Sequence, residues 1–310
     1  MTRMIIKSPD LKNAQYEDIR KQFNTEAVSF CSHYHERSGH PSEIPAHYHE
    51  YIEMIYVLEG TFTATVSGRD YTLTDGDLLL VNANEPHSFH RHAECMFICL
   101  QFDPFLLFST VRSTFEARFI MPFIMSCSSP QRVIHSSELT QTEIPALVEE
   151  VNREYNEKDY GYELAVRASI CRIFLWFLRK WRKQGVHMGV TSTVRNEDIA
   201  RLENVLGYID QNYMRTVSAE KMARLCNMSY SYFSRFFKAS IGRSFSEYLT
   251  YVRVTEAEKL LITTGKNVSQ VAMETGFSNA SYFITQFKKH RQMTPKKFKQ
   301  RLLRDALDKG

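Results

Sequence analysis

A repeated pattern near the end of the chain restricts the fold more than any other feature of the sequence. The first copy contains Met222-Ala223, Asn227-Met228-Ser229, Phe233 and Phe237-Lys238, and the second contains Val271-Ala272, Gly276-Phe277-Ser278, Phe283 and Phe287-Lys288. Each copy runs from an apolar pair through a turn and a serine into a helix whose phenylalanines recur every three or four residues. This spacing places the phenylalanines on one buried side and leaves the opposite side polar. The repeat predicts two helix-turn-helix units, at about residues 218–238 and 268–289.

The charge distribution separates this repeat half from the rest of the chain. Residues 191–310 contain 20 Lys and Arg against 11 Asp and Glu, whereas residues 1–190 contain 19 against 24. Neutralisation of phosphates supplies most of the sequence-independent affinity of proteins for nucleic acid, so an excess of positive charge on the repeat half favours duplex DNA as its partner. Lysine-rich helix surfaces are also common without any partner, and the charge alone leaves that alternative open.

Length and composition favour an intracellular protein with several domains. A chain of 310 residues can bury two or three separate cores. It contains no apolar run near the roughly 18 residues of a membrane span, and its start lacks the apolar core of a signal peptide. We therefore expect a cytoplasmic protein without a membrane partner. The cysteines are scattered without a CxxC pair, which favours buried reduced thiols; they are Cys31, Cys95, Cys99, Cys127, Cys171 and Cys226.

Hydrophobic periodicity divides the chain into zones of the α+β class. Short alternating segments between about residues 28 and 102 predict the strands of a β-barrel or sandwich. The pattern then becomes helical, with amphipathic helices at 144–156 and 162–183. We expect a barrel domain over 1–138, a helical pair over 139–184, a linker over 185–196 and an all-α domain over 197–310. The apolar side chains of the pair, which include Leu164 and Leu178, either cover the barrel, bind a second copy of the chain, or do both.

A group of histidines in the strand zone forms a second candidate site. If residues 47 to 53 formed one extended strand, His47, His49 and Glu53 would share a face, and His87 could join them from a neighbouring strand. Three imidazoles and a carboxylate suit a divalent metal ion, and they also suit a pocket for a polar ligand. Because eight of the eleven histidines lie between His33 and His92, some proximity is expected by chance. We expect an effector pocket without a required cofactor; a divalent metal, or a metal-dependent enzyme using the same four residues, is the alternative.

The chain resembles the AraC family of bacterial transcription regulators. The histidine spacing resembles the two cupin motifs of a small β-barrel, and residues 268–297 closely follow the family's signature, including Gly276-Phe277-Ser278 and Thr294-Pro295. Departures from these patterns are Pro41, Asn82-Ala83-Asn84, Arg91, Thr285 and Gln292. The resemblance implies a regulator rather than an enzyme. Its implied partners are promoter DNA, a small polar effector such as a carbohydrate, a second copy of the chain, and RNA polymerase where it acts as an activator.

Each predicted unit offers side chains on its second helix, opposite the phenylalanine stripe, and this is the helix that enters the major groove. The first unit offers Tyr230, Ser231, Ser234, Arg235 and Lys238, and the second offers Asn279, Ala280, Ser281, Thr285 and Lys288. We expect Arg235 to read guanine because a guanidinium can bind O6 and N7 together; the alternative is a contact to phosphate or a carboxylate. The second set is short, which favours methyl contacts, water and DNA shape.

A helix expected between the units, from about residue 245 to 262, would fix their separation. Ser244 and Glu247 have the spacing of a capping box at its start. Roughly 17 residues would span about 25 Å. A rigid spacer of this length suits two recognition helices placed about 34 Å apart, which is one turn of DNA.

Overall fold

A computed structural model of the chain describes residues 14–17, 19, 30–107, 131–184, 196–241, 243–291 and 293–300. These residues fall into two compact units, one ending at residue 184 and the other beginning at 196. Of the expected linker over 185–196, only residue 196 lies within the described residues. Cys127 lies outside them. No helix in the described ranges has both the length and the apolar character needed to span a bilayer.

The described residues of the first unit form ten strands. They are β1 (Gln15–Tyr16), β2 (Phe30–His35), β3 (Ser42–Tyr48), β4 (Ile52–Glu59), β5 (Phe62–Val66), β6 (Arg69–Leu73), β7 (Leu78–Val81), β8 (His87–Arg91), β9 (Met96–Phe102) and β10 (Val133–Ile134). One sheet has the order β1-β3-β8-β5-β6 and the other has the order β10-β7-β4-β9-β2. The expected barrel or sandwich is confirmed.

The apolar core lies between the two sheets because alternate side chains of each strand point inward. In β5, Phe62, Ala64 and Val66 are fully buried and the two threonines between them are partly exposed. They pack with residues of the other sheet, including Ile55 and Phe97. The buried cysteines Cys31, Cys95 and Cys99 carry free thiols, as the sequence predicts.

After β9, the described residues of the first unit contain a 3-10 turn and three α-helices. A 3-10 turn spans Pro104–Leu107, and the α-helices are α1 (Ser136–Leu139), α2 (Ile144–Glu157) and α3 (Tyr162–Lys183). The buried side of α2 contains Leu147, Val148 and Val151. The buried side of α3 contains Val166, Ile170, Ile173, Phe174, Phe177 and Trp181. Leu164 is not on the buried side: 71% of its surface is exposed.

The second unit contains six described α-helices. They are α4 (Asn196–Asn212), α5 (Ala219–Leu225), α6 (Tyr230–Ile241), α7 (Phe245–Thr263), α8 (Val268–Glu274) and α9 (Ala280–Arg291). The pairs α5–α6 and α8–α9 are the two helix-turn-helix units. Phe233 and Phe237 of the first unit, and Phe283 and Phe287 of the second, are fully buried. Phe236, which the spacing places in the same stripe, is only half-buried.

The connecting helix α7 begins at the predicted capping box. Ser244 accepts a hydrogen bond from the backbone N–H of Glu247, whose carboxylate accepts one in return from the Ser244 N–H. The helix has 19 residues, which corresponds to about 28 Å. Arg253 on this helix donates from Nε to the Tyr213 carbonyl (2.8 Å) and from Nη2 to the Arg215 carbonyl (2.9 Å). The loop after α4 is therefore fixed to the connecting helix.

Candidate nucleic-acid interface and barrel site

The first recognition helix, α6, presents an arginine on its exposed side. Arg235 is exposed, and no ion pair to it occurs within the part of the chain that the structure describes. By contrast, Arg201 pairs with Asp198 at 2.9 Å and Arg291 pairs with Glu258. Unlike these two arginines, Arg235 is available to an external anion or base.

The other predicted contacts of α6 lie on its exposed side. Tyr230 is 53% exposed, Ser231 and Lys238 are exposed, and Ser234 is half-buried. Sequence reasoning missed Tyr232, which is 51% exposed. Its helical position, one residue from the buried Phe233, was the signal that could have identified it.

In the second recognition helix, α9, two of the residues predicted to contact DNA also stabilise the helix-turn-helix unit itself. Asn279 Oδ1 accepts a hydrogen bond from the Tyr282 N–H at 2.8 Å and so caps the helix. Ala280 is half-buried and packs against the apolar cluster of this unit, so only part of its surface remains for the predicted DNA contact. Ser281, Thr285 and Lys288 are exposed.

The barrel site brings together the four predicted residues, although not by the predicted geometry. β3 ends at Tyr48 and β4 begins at Ile52, so residues 47 to 53 do not form one strand and that expectation is wrong. Glu53 lies instead on the opposite sheet from His47 and His87. One ligand atom from each of these residues and His49 still lies within 4.8 Å of the others, because the turn brings the sheets together.

The three imidazoles are oriented by the backbone. Nδ1 of His47 lies 2.8 Å from the Pro45 carbonyl, Nδ1 of His49 lies 3.1 Å from the Tyr51 carbonyl, and Nδ1 of His87 lies 2.8 Å from the Glu85 carbonyl. A carbonyl only accepts hydrogen bonds, so each Nδ1 carries the proton. In the neutral tautomer each Nε2 then has a free electron pair, which is how metal-binding histidines are commonly oriented.

Glu53 is the carboxylate at the centre of this group. Its Oε2 lies 3.0 Å from His49 Nε2 and 3.1 Å from His87 Nε2, although the His87 contact lacks the alignment of a hydrogen bond. The Cys99 thiol donates to Oε1 at 3.0 Å. Burial acts to raise the pKa of Glu53, but the contacts with His49 and His87 outweigh it and hold that pKa well below its usual range. The site therefore contains an ionised, buried carboxylate.

Two further groups contribute to the site, and sequence reasoning missed both. Strand β1 pairs in parallel with β3, and Glu17 Oε2 lies 3.1 Å from His47 Nε2. Arg132 forms a bidentate ion pair with Glu85, whose carbonyl orients His87. Glu17 and Arg132 lie 30 and 45 residues in sequence from His47 and His87 respectively, and no spacing pattern connects them to the motif.

This donor set fits a divalent metal ion. Electron pairs on three Nε2 atoms would repel one another and the Glu53 carboxylate oxygens unless protons or a cation lay between them. Three imidazoles and one carboxylate are ligands that first-row divalent metals accept. At most 8% of each of the four residues is exposed, so the group lies in the interior of the first unit.

Comparisons with known proteins agree with both halves of this description. Residues 222–301 match the helix-turn-helix domain family and residues 29–100 match the cupin domain family. The uncharacterised HTH-type transcriptional regulator YdeC of Bacillus subtilis is 23% identical over 83% of this chain and 86% of its own. The HTH-type transcriptional activator RhaS of Shigella sonnei is 24% identical over 84% of this chain and 88% of its own.

Among solved structures, fatty-acid-bound ToxT of Vibrio cholerae covers 89% of this chain and 96% of its own, with 13% identity and a TM-score of 0.37. YdeC and RhaS are both named as transcription regulators, so the metal-dependent enzyme that the histidines left open finds no support in them. With its cupin-like first unit and doubled helix-turn-helix, this chain belongs to the AraC family of DNA-binding transcription regulators.

Proposed function

We propose that this protein regulates transcription by binding a bipartite promoter sequence with α6 and α9, under the control of a small ligand in the barrel. The observation that carries the DNA-binding part is the exposed side of α6, where no carboxylate of the described residues pairs with Arg235. RhaS is named as a transcriptional activator. If this protein also activates transcription, RNA polymerase is a further partner.

The test is selection of duplexes from a random pool by the full-length protein, followed by measurement of Kd at several salt concentrations. Arg235→Ala should reduce the preference for the selected duplex over random DNA by about 1 to 3 kcal/mol, while non-specific binding remains. Arg235→Lys, which keeps the charge but not the bidentate geometry, should lose preference as well. If Arg235→Lys keeps full preference, Arg235 contacts a phosphate instead.

For the barrel, we propose that a small polar effector binds there and controls DNA binding. His47, His49, Glu53 and His87 are the residues that would hold a divalent ion. Such an ion would supply an electropositive centre to which a hydroxyl or carboxylate oxygen of a metabolite can bind. Burial of all four residues supports a second candidate, in which the metal ion itself is the effector.

Elemental analysis and a thermal-shift screen of full-length protein distinguish these inputs. A metal-responsive regulator should contain near one ion per chain, and chelation should lower its melting temperature. If sugars and other polar metabolites raise the melting temperature while chelators have no effect, the four residues act without metal. His49→Ala should remove the response in either case.

We also propose that the protein is a dimer formed through α3. One side of this helix carries the exposed residues Leu164, Ala168 and Leu175 and the half-buried residues Cys171 and Leu178, at alternating spacings of four and three residues. That is the spacing of a coiled-coil seam, and 71% of Leu164 and 41% of Leu175 are exposed in the single chain. A second copy of the same helix would cover this stripe and double the DNA footprint.

A further inference from the structure

We propose that the second recognition helix reads thymine, through the methyl groups of Ile284 and Thr285. This inference rests on the proposed DNA-binding function and states which base α9 recognises. Residues 280–287 contain no charged side chain, so α9 has no counterpart to the arginine that we expect to read guanine in α6.

The amide of Asn279 is a poor alternative reader. A side-chain amide recognises adenine by donating and accepting at the same time. Asn279 Oδ1 already accepts from the Tyr282 N–H at 2.8 Å, and Nδ2 lies 3.3 Å from Ser278 Oγ. Bidentate recognition by this residue would require it to give up the helix cap.

The hydroxyl of Thr285 is also engaged within the helix. Its Oγ1 donates to the Ser281 carbonyl at 3.1 Å, which uses the only proton that it could give to a base. The methyl group is the part of this exposed side chain that takes no part in the helix. Beside it, Ile284 is 37% exposed although its neighbour Phe283 is fully buried. The exposed side of α9 therefore carries adjacent apolar groups where a recognition helix is usually polar.

Thymine is the base that matches such a surface. In the major groove it differs from the other three bases by its C5-methyl group, which apolar side chains contact. In the repeat, Ile284 and Thr285 occupy the positions of Ser234 and Arg235. The two units would thus recognise different bases at equivalent positions, guanine for α6 and thymine for α9, which gives the bipartite site a direction.

The experiment replaces thymine by deoxyuridine, which removes only the C5-methyl group. A duplex selected from a random pool by the full-length protein is synthesised with each thymine changed in turn, and Kd is measured at constant salt. Burial of one methyl group contributes about 0.8 kcal/mol, which is about a fourfold change in Kd. We expect one or two thymines to show a weakening of this size with the unmodified protein.

Variants of α9 assign the effect to its methyl groups. Ile284→Ala and Thr285→Ser should each reduce the preference for thymine over deoxyuridine, whereas Thr285→Val, which keeps the methyl group and loses the hydroxyl, should preserve it. Arg235→Ala should bind more weakly and keep the same preference. The inference is overturned if no thymine of a tightly bound duplex is sensitive, or if Ile284→Ala and Thr285→Ser both retain the preference. Failure to select any duplex would instead refute the proposed DNA-binding function.

Discussion

At the scale of single residues, Gly276 shows how a backbone requirement explains a residue of the repeat. Its φ of +84° lies in the left-handed region, and an added Cβ would lie 2.6 Å from the Tyr213 carbonyl oxygen and 2.9 Å from Met214. Only glycine meets both conditions at once. The turn of the second helix-turn-helix unit is thereby held against the loop that follows α4, which Arg253 also binds.

Gly276→Ala should lower the free energy of unfolding by roughly 2 to 4 kcal/mol, because backbone strain and steric overlap both oppose it. Denaturant unfolding of the full-length protein, followed for its C-terminal unit by hydrogen exchange, measures this loss. Gly265→Ala is the matched control: a Cβ at Gly265 meets nothing within 4 Å, and that variant should be as stable as the wild type or slightly more so. Equal stabilities of the two variants would show that the contact with Tyr213 is unimportant.

At the scale of elements, the turn between β7 and β8 holds two of the three imidazoles of the barrel site. The Asn84 N–H donates to the His49 carbonyl at 2.7 Å, and the Glu85 carbonyl accepts from Nδ1 of His87. The Glu85 carboxylate accepts from the Asn82 N–H and from the buried guanidinium of Arg132. The shape of this turn therefore depends on the ion pair between Glu85 and Arg132. The positions of His49 and His87 depend on the same ion pair.

Arg132→Met should destabilise the first unit by about 3 to 5 kcal/mol, because it leaves the Glu85 carboxylate buried without a partner. Combining it with Glu85→Gln should recover a large part of that loss. Absorption spectra of the cobalt-loaded protein would report separately on ligand geometry, and we expect altered bands in the single variant. An unchanged melting temperature for Arg132→Met would mean that the pair does not hold the turn.

The elements that sequence predicts best are those whose signals are local. The phenylalanine spacing and the Ser244–Glu247 capping box fix α6, α7 and α9, because each depends on residues within one or two helical turns. The barrel site depends on pairing between distant strands. The sequence identifies its four residues by type and spacing, but not the turn between His49 and Glu53. It also gives no sign of Glu17 or Arg132, whose contacts are set by tertiary packing alone. The second role of Asn279 as the cap of α9 is also missing from the sequence interpretation, although asparagine side chains commonly bond to nearby backbone N–H groups.

At the scale of the whole molecule, the exposed stripe of α3 offers a test of assembly. Leu175→Glu places a charge in the middle of the stripe and should convert a dimer to a monomer, since a buried unpaired carboxylate costs several kcal/mol. Analytical ultracentrifugation of the full-length protein measures the change. Lys183→Glu, which introduces the same side chain on α3 away from the stripe, should remain dimeric. A Leu175→Glu variant with the wild-type association constant would exclude this helix as the interface.

Control of DNA binding by the barrel requires two states of the assembly that differ in affinity for the ligand. A ligand can shift the equilibrium between such states no further than its differential affinity for them allows, and any gain in DNA affinity must be matched by an equal gain in ligand affinity when DNA is bound. A dimer provides these states if ligand binding changes how the two copies of α3 pair, and so changes which spacing of half-sites the four recognition helices fit.

This mechanism predicts that Leu175→Glu removes the effect of the barrel ligand on Kd for a two-half-site duplex, while binding to a single half-site is nearly unchanged. Kd for both duplexes would be measured by fluorescence anisotropy, with and without the metal or metabolite identified by thermal shift. Lys183→Glu should keep the full response. If the monomeric Leu175→Glu variant still responds to the ligand as strongly as the wild type, the signal passes within one chain, and pairing of α3 serves only to double the DNA contact.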